Sequence, residues 1–259
     1  MGVYGITSVT GSPGVTTTAV AWALHSARET LLVEADAAGG SAVLGGLLRG
    51  TVPFERSVLS VPSRPSHRTV LEQLTSQQVP LTSDSGRSFI PGIPEHHQAR
   101  ALVGEWTDIG QALQSWSARA DIDVVIDLGR VTTQHYATPL MAACDYVVAM
   151  CSDDLPHLHR AHAAVNALKA SLGEGEHSRV GLATVEAPQE AYSPREVRSL
   201  MQPTTVLGQV PHNPTAAATY SLGAAGKTRA LRSWVKAIQS LAQATRTAAK
   251  DYADMLEGR

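Results

Sequence analysis

Two glycines three positions apart, Gly11 and Gly14, stand in a run of small residues: Ser8-Val9-Thr10-Gly11-Ser12-Pro13-Gly14-Val15-Thr16-Thr17-Thr18. A short β-type segment, Val3-Tyr4-Gly5-Ile6-Thr7, precedes the run. Ala19 to Ser26, rich in alanine with Trp22 and Leu24, follows it and reads as a helix. Strand, small-residue turn and helix in that order make an anion site. Backbone N–H groups and the helix N-terminus hold phosphate there without side-chain charge. Pro13 removes one N–H donor from such a cradle. The plainer reading is that Gly11 and Gly14 only close a tight turn.

Other reactive side chains carry less. His157, His159 and His162 lie close together, as do His96 and His97. A metal site needs ligands converging on one face with carboxylate or Cys support, so these are expected to be exposed polar residues. Cys144 and Cys151 are expected to be small buried residues rather than a redox pair.

The elements that must position the turn follow a regular alternation. Apolar runs occur at Leu31-Leu32-Val33-Glu34, Ser88-Phe89-Ile90, Asp123-Val124-Val125-Ile126-Asp127, Tyr146-Val147-Val148-Ala149-Met150, Val180 to Val185 and Val206 to Val210. Helical spacing lies between them, at Ala99 to Ala118 and Leu158 to Leu172, and a long helix spans about 227–256. Continuous apolar strands alternating with helices predict one doubly wound, mostly parallel α/β sheet covered on both faces. No linker divides the 259 residues, so a single domain over 1–259 is expected. It carries a Ser/Pro/Thr-rich excursion at 50–86 with one modest helical stretch around Val70 to Leu74. That excursion reads as a partner-binding loop or a flexible detour.

Composition narrows the class. A net charge of −2 gives no whole-chain pull toward nucleic acid or an anionic membrane. Two cysteines without a disulfide pattern suit a reducing cytoplasm. No signal-peptide pattern is read, and no apolar stretch reaches the roughly 20 residues of a membrane span. Trp234, Ile238 and Leu241 on the long last helix, whose final turn is acidic, predict packing on the domain rather than on a membrane.

The turn resembles the deviant Walker A motif of the ParA/MinD family of P-loop ATPases, K-G-G-V-G-K-T-T. Without gaps, Gly11 and Gly14 match two family glycines, and Ser12 and Pro13 replace the second glycine and the valine. Thr16 matches the Mg²⁺-binding hydroxyl and Thr17 follows it. Two further segments are similar to family motifs. Glu34-Ala35-Asp36-Ala37-Ala38-Gly39 resembles D-x-D-P-x-G, with Asp36 on the water-orienting acid and Glu34 in place of the first. Ile126-Asp127-Leu128-Gly129 resembles Walker B, with Asp127 on the acid that holds Mg²⁺ through water and Gly129 offering an N–H to a terminal phosphate. Pro211 and Asn213 resemble I-P-x-D, near the base. The resemblance covers nearly the whole chain and implies a P-loop fold.

The same register exposes a departure. Thr10 takes the position of the signature lysine that reaches the other subunit's ATP in the family dimer. Val15 takes the position of the lysine that contacts the β- and γ-phosphates. Arg130, outside the family pattern, lies beside the expected phosphate site and either stands in for a lysine or is a solvated surface residue. The resemblance implies a positioning or partner-binding protein with a degenerate nucleotide site. It would bind ATP or ADP with Mg²⁺ weakly or bind none, dimerise, engage a protein partner of a cellular machine and hydrolyse ATP poorly. Two alternatives stand beside this reading. One is a weak Mg²⁺-dependent ATPase using Thr16, Asp36 and Asp127 in DNA partition, division-site placement or pilus and secretion-machine localisation. The other is a nonspecific DNA-binding partition protein. Asp36 and Asp127 could also be retained for structure alone.

Overall fold

Each apolar run forms a strand, and the strands join in one sheet. The computed structural model describes residues 1–52, 54–61, 68–82, 86–131, 137–173, 178–189, 191–224 and 229–258. In chain order these give β1 (Gly2–Ser8), α1 (Val15–His25), β2 (Thr30–Glu34), α2 (Val70–Ser76), β3 (Val79–Pro80), β4 (Arg87–Ile90), α3 (Trp106–Ala120) and β5 (Asp123–Arg130). The second half adds α4 (Thr138–Ala142), β6 (Tyr146–Ser152), α5 (Leu155–Ser171), β7 (Val180–Val185), α6 (Pro194–Leu200), β8 (Val206–Val210), α7 (Pro214–Ser221) and α8 (Arg229–Glu257). Short non-α turns of helix lie at Val43–Leu47, Val58–Ser60 and His96–Leu102.

The sheet runs β3-β4-β2-β5-β1-β6-β7-β8. All neighbours are parallel except β3, which pairs antiparallel with β4 at the edge. The chain leaves β1 toward β2 on one side and reaches β6 on the other, so the direction of winding reverses at β1. Open α/β sheets bind ligands at such a point, outside the carboxyl ends of the strands.

Period-two alternation divides the core. Along β5, Val124 and Ile126 join one apolar cluster and Val125 the other; along β6, Val147 and Ala149 oppose Val148 and Met150. One cluster gathers Trp106, Ile109 and Leu113 of α3 with Leu158 and Val165 of α5. The other gathers Trp22 of α1 with Tyr220 of α7 and Trp234, Ile238 and Leu241 of α8. With both faces covered, every strand is apolar on both sides, hence the unbroken runs in the sequence. Cys144 and Cys151 are free and buried in the first cluster, with burial pushing both thiols up to about 12.

The last helix also carries a polar anchor. Arg246 Nε and Nη2 donate to Asp123 Oδ2 at 2.8 and 2.7 Å, and Arg28 Nε lies 3.6 Å from the other oxygen. The Arg246 guanidinium stands 5.8 Å from the centre of the Trp22 ring. No described helix is long and apolar enough to cross a membrane.

Several boundaries differ from the sequence reading. The first helix begins at Val15 rather than Ala19, because Gly14 (φ 88°) turns the chain into it. The expected helix from Ala99 to Ala118 is two pieces, with Gly104, a poor helix former, between them. The 50–86 excursion holds α2, closed by a Thr69–Glu72 capping box, and β3. The short helices α4, α6 and α7 were not anticipated. Residues 227 and 228, where the last helix was expected to start, lie outside the described residues.

Candidate functional site

The turn after β1 is locked at both ends before it meets any ligand. Val9 N–H donates to Met150 O at 3.0 Å and Val131 N–H to Ser8 O at 3.0 Å, tying the turn to β6 and to the end of β5. Thr7 Oγ1 donates to Gly129 O at 2.9 Å, and Ser8 Oγ to Gly11 O at 3.0 Å. Gly11 and Gly14 both have left-handed backbone, φ 61° and 88°. A side chain at either would be strained, so the two glycines are conformational requirements of this turn. Gly14 precedes α1 with no side-chain cap, which leaves the first N–H groups of an eleven-residue helix without a cap from that residue. The β-branched residues Val15 to Thr18, unpromising as helix formers, make that first turn.

Asp127 lies behind the turn, fully buried on β5. Burial pushes its carboxyl up to about 6; the Thr16 side chain and the Gly129 N–H, at 3.0 Å, pull it down, and Asp36 raises it. No cation figures among the groups acting on it. Asp36 accepts from Ala38 N–H at 2.9 Å and lies against Gly129, where a side-chain carbon would come within 2.2 Å of its Cγ. The three segments picked out by sequence, carrying Thr16, Asp36 and Asp127 with Gly129, therefore converge on one place.

Glu34 is not part of that group. It is 4% exposed and serves the loop after β2: its carboxylate accepts from Ser41 Oγ at 2.5 Å and from the N–H groups of Val43 and Gly92, each at 3.3 Å. Burial raises it to about 7, against those hydrogen bonds and with Asp127 adding to the rise. The sequence position of the first acid in the D-x-D pattern is thus filled by a structural carboxyl.

Two cavities flank the turn. The larger, about 1040 Å³, is bounded by Ser12, Thr16, Asp36, Gly129 and Arg130, with Gly11, Gly14, Val15 and Thr17 on the same wall. Its opposite side brings His96, His97 and Arg100, which sequence reading did not connect to the site. Their element, the short helix at His96–Leu102, has no motif; Gly39, with φ 77° and the His96 backbone N 2.5 Å from where its side chain would start, marks the close approach. Val15 is 7% exposed and belongs to the apolar cluster around α1. Arg130 is exposed and its Nη2 donates to Ser12 Oγ at 2.5 Å, so it is both at the surface and in contact with the turn.

The smaller cavity, about 430 Å³, lies on the other side. Pro13, Pro211 and Asn213 line it, together with Thr10, His157 and Trp234. Asn213 Oδ1 accepts from Ala216 N–H at 3.0 Å and caps α7. His159 and His162 are exposed, as expected, but His157 is half-buried and turned to the turn. Among the described residues, no group of three or more His, Cys, Asp or Glu side chains is placed to hold a metal ion.

No family model and no curated protein matches the sequence. Solved structures do match the fold. The cell division ATPase MinD of Pyrococcus furiosus superposes with a TM-score of 0.70 at 17% identity, over 95% of this chain and 99% of that one. MinD of Pyrococcus horikoshii, complexed with Mg-ADP, gives 0.64 at 16% identity over 99% and 97%. A ParA family ATPase of Chlorobium tepidum gives 0.62 at 14% identity over 97% and 98%. The chain has the MinD/ParA P-loop fold.

Proposed function

We propose that this chain is a MinD/ParA-like positioning protein that binds ATP or ADP with Mg²⁺ through a phosphate loop lacking both lysines, and that hydrolyses ATP poorly. The observation that carries the reading is the meeting of Thr16, Asp36, Asp127 and Gly129 under the loop. Asp127, buried and pushed up to about 6 with no cation acting on it, suits a neighbouring positive charge. Thr16 and Asp127 would hold the Mg²⁺ that accompanies a nucleotide, which neutralises phosphate charge when bound. Loop N–H groups would cradle the phosphates, and the Pro211–Asn213 side would take the base.

Slow turnover follows from Val15. In phosphoryl transfer the protein contributes positioning and electrostatic stabilisation, and an apolar side chain supplies neither charge nor donor. Losing a charged contact to the transferring phosphate costs on the order of 10²-fold or more in rate. The protein would then act by binding, as a homodimer that engages a protein partner, as the resemblance to MinD and ParA suggests.

One observation favours a second reading, a weak ATPase. Arg130 reaches Ser12 and brings a permanent cation to the loop. Calorimetric titration with ATP and ADP, with and without Mg²⁺, tests the first reading: Mg²⁺-dependent binding supports it, and no binding at millimolar nucleotide overturns it. Phosphate release that rises with an added partner and disappears in both Arg130→Ala and Asp36→Ala would replace it with the second.

A further inference from the structure

His157 has a geometry that a solvated histidine lacks. Its Nδ1 lies 2.7 Å from both carboxylate oxygens of Asp154, the residue that also caps α5 by accepting His157 N–H at 3.1 Å. A carboxylate only accepts, so Nδ1 carries the proton and Nε2 is left facing away from Asp154. That atom faces the phosphate loop: a side-chain carbon on Gly11 would stand 3.2 Å from Nε2. Next to Gly11, Thr10 is 8% exposed and its Oγ1 is buried with no hydrogen-bond partner among the described residues. Both residues line the smaller cavity. An unpaired buried hydroxyl is costly unless something else bonds it, and here the bonding partner can only come from the cavity side.

We propose that His157, oriented by Asp154, and Thr10 form a second phosphate-contacting jaw of the nucleotide site, opposite Arg130, with His157 binding as the imidazolium. The inference rests on the nucleotide reading above. With Nδ1 protonated, a neutral ring offers a lone pair at Nε2, which repels a phosphate oxygen; the charged ring offers an N–H, which attracts it. Asp154 favours the charged ring. Burial alone would raise the Asp154 carboxyl, but the His157 ring and N–H and the Ser152 hydroxyl bring it below the ordinary carboxylate value, so it is ionised. The other charged or titratable groups around this jaw are Glu186 and His212, which line the same cavity, Arg160 one turn along α5, the buried Asp153, and Arg130 on Ser12. The cation lost from the loop at position 10 is thus supplied by a side chain 147 residues later in the chain (157 − 10), and it is one that titrates.

The test is ADP affinity with Mg²⁺ at pH 6 and pH 8 for the wild type, His157→Gln, Asp154→Asn and Thr10→Val. Nucleotide protonation is common to all four, so the differences between proteins carry the result. The charge-assisted contact predicts that His157→Gln weakens ADP about tenfold at pH 6 and little at pH 8. Asp154→Asn, which keeps an N-cap acceptor, should move the wild-type pH profile to lower pH. Thr10→Val, similar in shape, should cost a few-fold at both pH values. Equal pH slopes in wild type and His157→Gln would overturn the jaw and leave the nucleotide site standing. No ADP binding by any of the four would remove the nucleotide site and the jaw together.

Discussion

Gly129 and Asp36 are in contact across two loops, and the contact leaves no room for a side chain on Gly129. A carbon there would lie 2.2 Å from Asp36 Cγ, and the Gly129 backbone is left-handed at φ 61°. Gly129→Ala should therefore push Asp36 out of place and lose roughly 2 kcal/mol of stability or more. Gly40→Ala is the control: its φ is 76°, but nothing lies within 4 Å, so only the backbone term of about 1 kcal/mol remains. Denaturant midpoints of the two variants separate the clash from the backbone cost. Equal losses would mean that Asp36 yields freely.

Two buried carboxyls predict an unusual pH dependence. Glu34 is raised from 4.5 to about 7 and Asp127 from 3.8 to about 6, in both cases chiefly by burial. The folded state then holds protons that the unfolded state releases, so stability is full below about pH 4 from these groups and declines as pH rises through 6 to 7. Glu34→Gln and Asp127→Asn remove the buried charge. Each should raise stability by about 1–3 kcal/mol at pH 8 and change it little at pH 4. Melting curves at the two pH values check the sign, and a gain that is larger at pH 4 would contradict it.

Restoring the missing lysine should divide stability from binding. Val15 is packed in the apolar cluster around α1, so Val15→Lys places a cation at an apolar position and should lower the melting temperature of the free protein. Nucleotide with Mg²⁺ should then raise that temperature by more than it does in the wild type, because ligand that binds only the folded state stabilises in proportion to its affinity. A nucleotide-induced shift no larger than in the wild type would show that the loop cannot use a lysine here.

Arg246 and Asp123 predict a stability effect far from the site. Removing the guanidinium leaves a fully buried carboxylate with Arg28 at 3.6 Å as its nearest side-chain cation. Arg246→Ala should cost about 3–5 kcal/mol. Adding Asp123→Asn should recover part of that loss. A double variant no more stable than the single one would place the cost in the lost packing on Trp22 instead.

The fold was legible because its signals are long and redundant. Apolar runs at Val124 to Ile126 and Val147 to Met150 have one role in a sheet covered on both sides, and small residues around Gly11 and Gly14 mark the strand-to-helix turn. Thr16, Asp36 and Asp127 were legible by their offsets from those strands. What the sequence did not show depends on contacts made between distant segments. His96, His97 and Arg100 reach the larger cavity only because the chain after β4 folds against Gly39. Arg130 reads as a surface residue until Ser12 is placed beside it. His157 read as one of three polar histidines, and only the Asp154 cap, visible as an Asp-x-x-His spacing, distinguished it from His159 and His162. The short helices α6 and α7 did leave signals, Ser193-Pro194 and Asn213-Pro214, which are N-cap and first-turn residues of brief elements.

Strand β5 carries two completely buried carboxylates, one at each end, and folding treats them in opposite ways. At its start, Asp123 is matched by arginines that the chain brings from α8 and from the turn after α1. At its far end, Asp127 meets a hydroxyl, an N–H and another acid, and no positive charge figures among the groups acting on it. One strand thus holds an anion balanced from within and an anion whose balance is left to whatever enters the loop. A countercharge arriving at Asp127 would therefore tighten the folded state itself, so that occupancy of the site and rigidity of the sheet's centre are two readings of a single equilibrium.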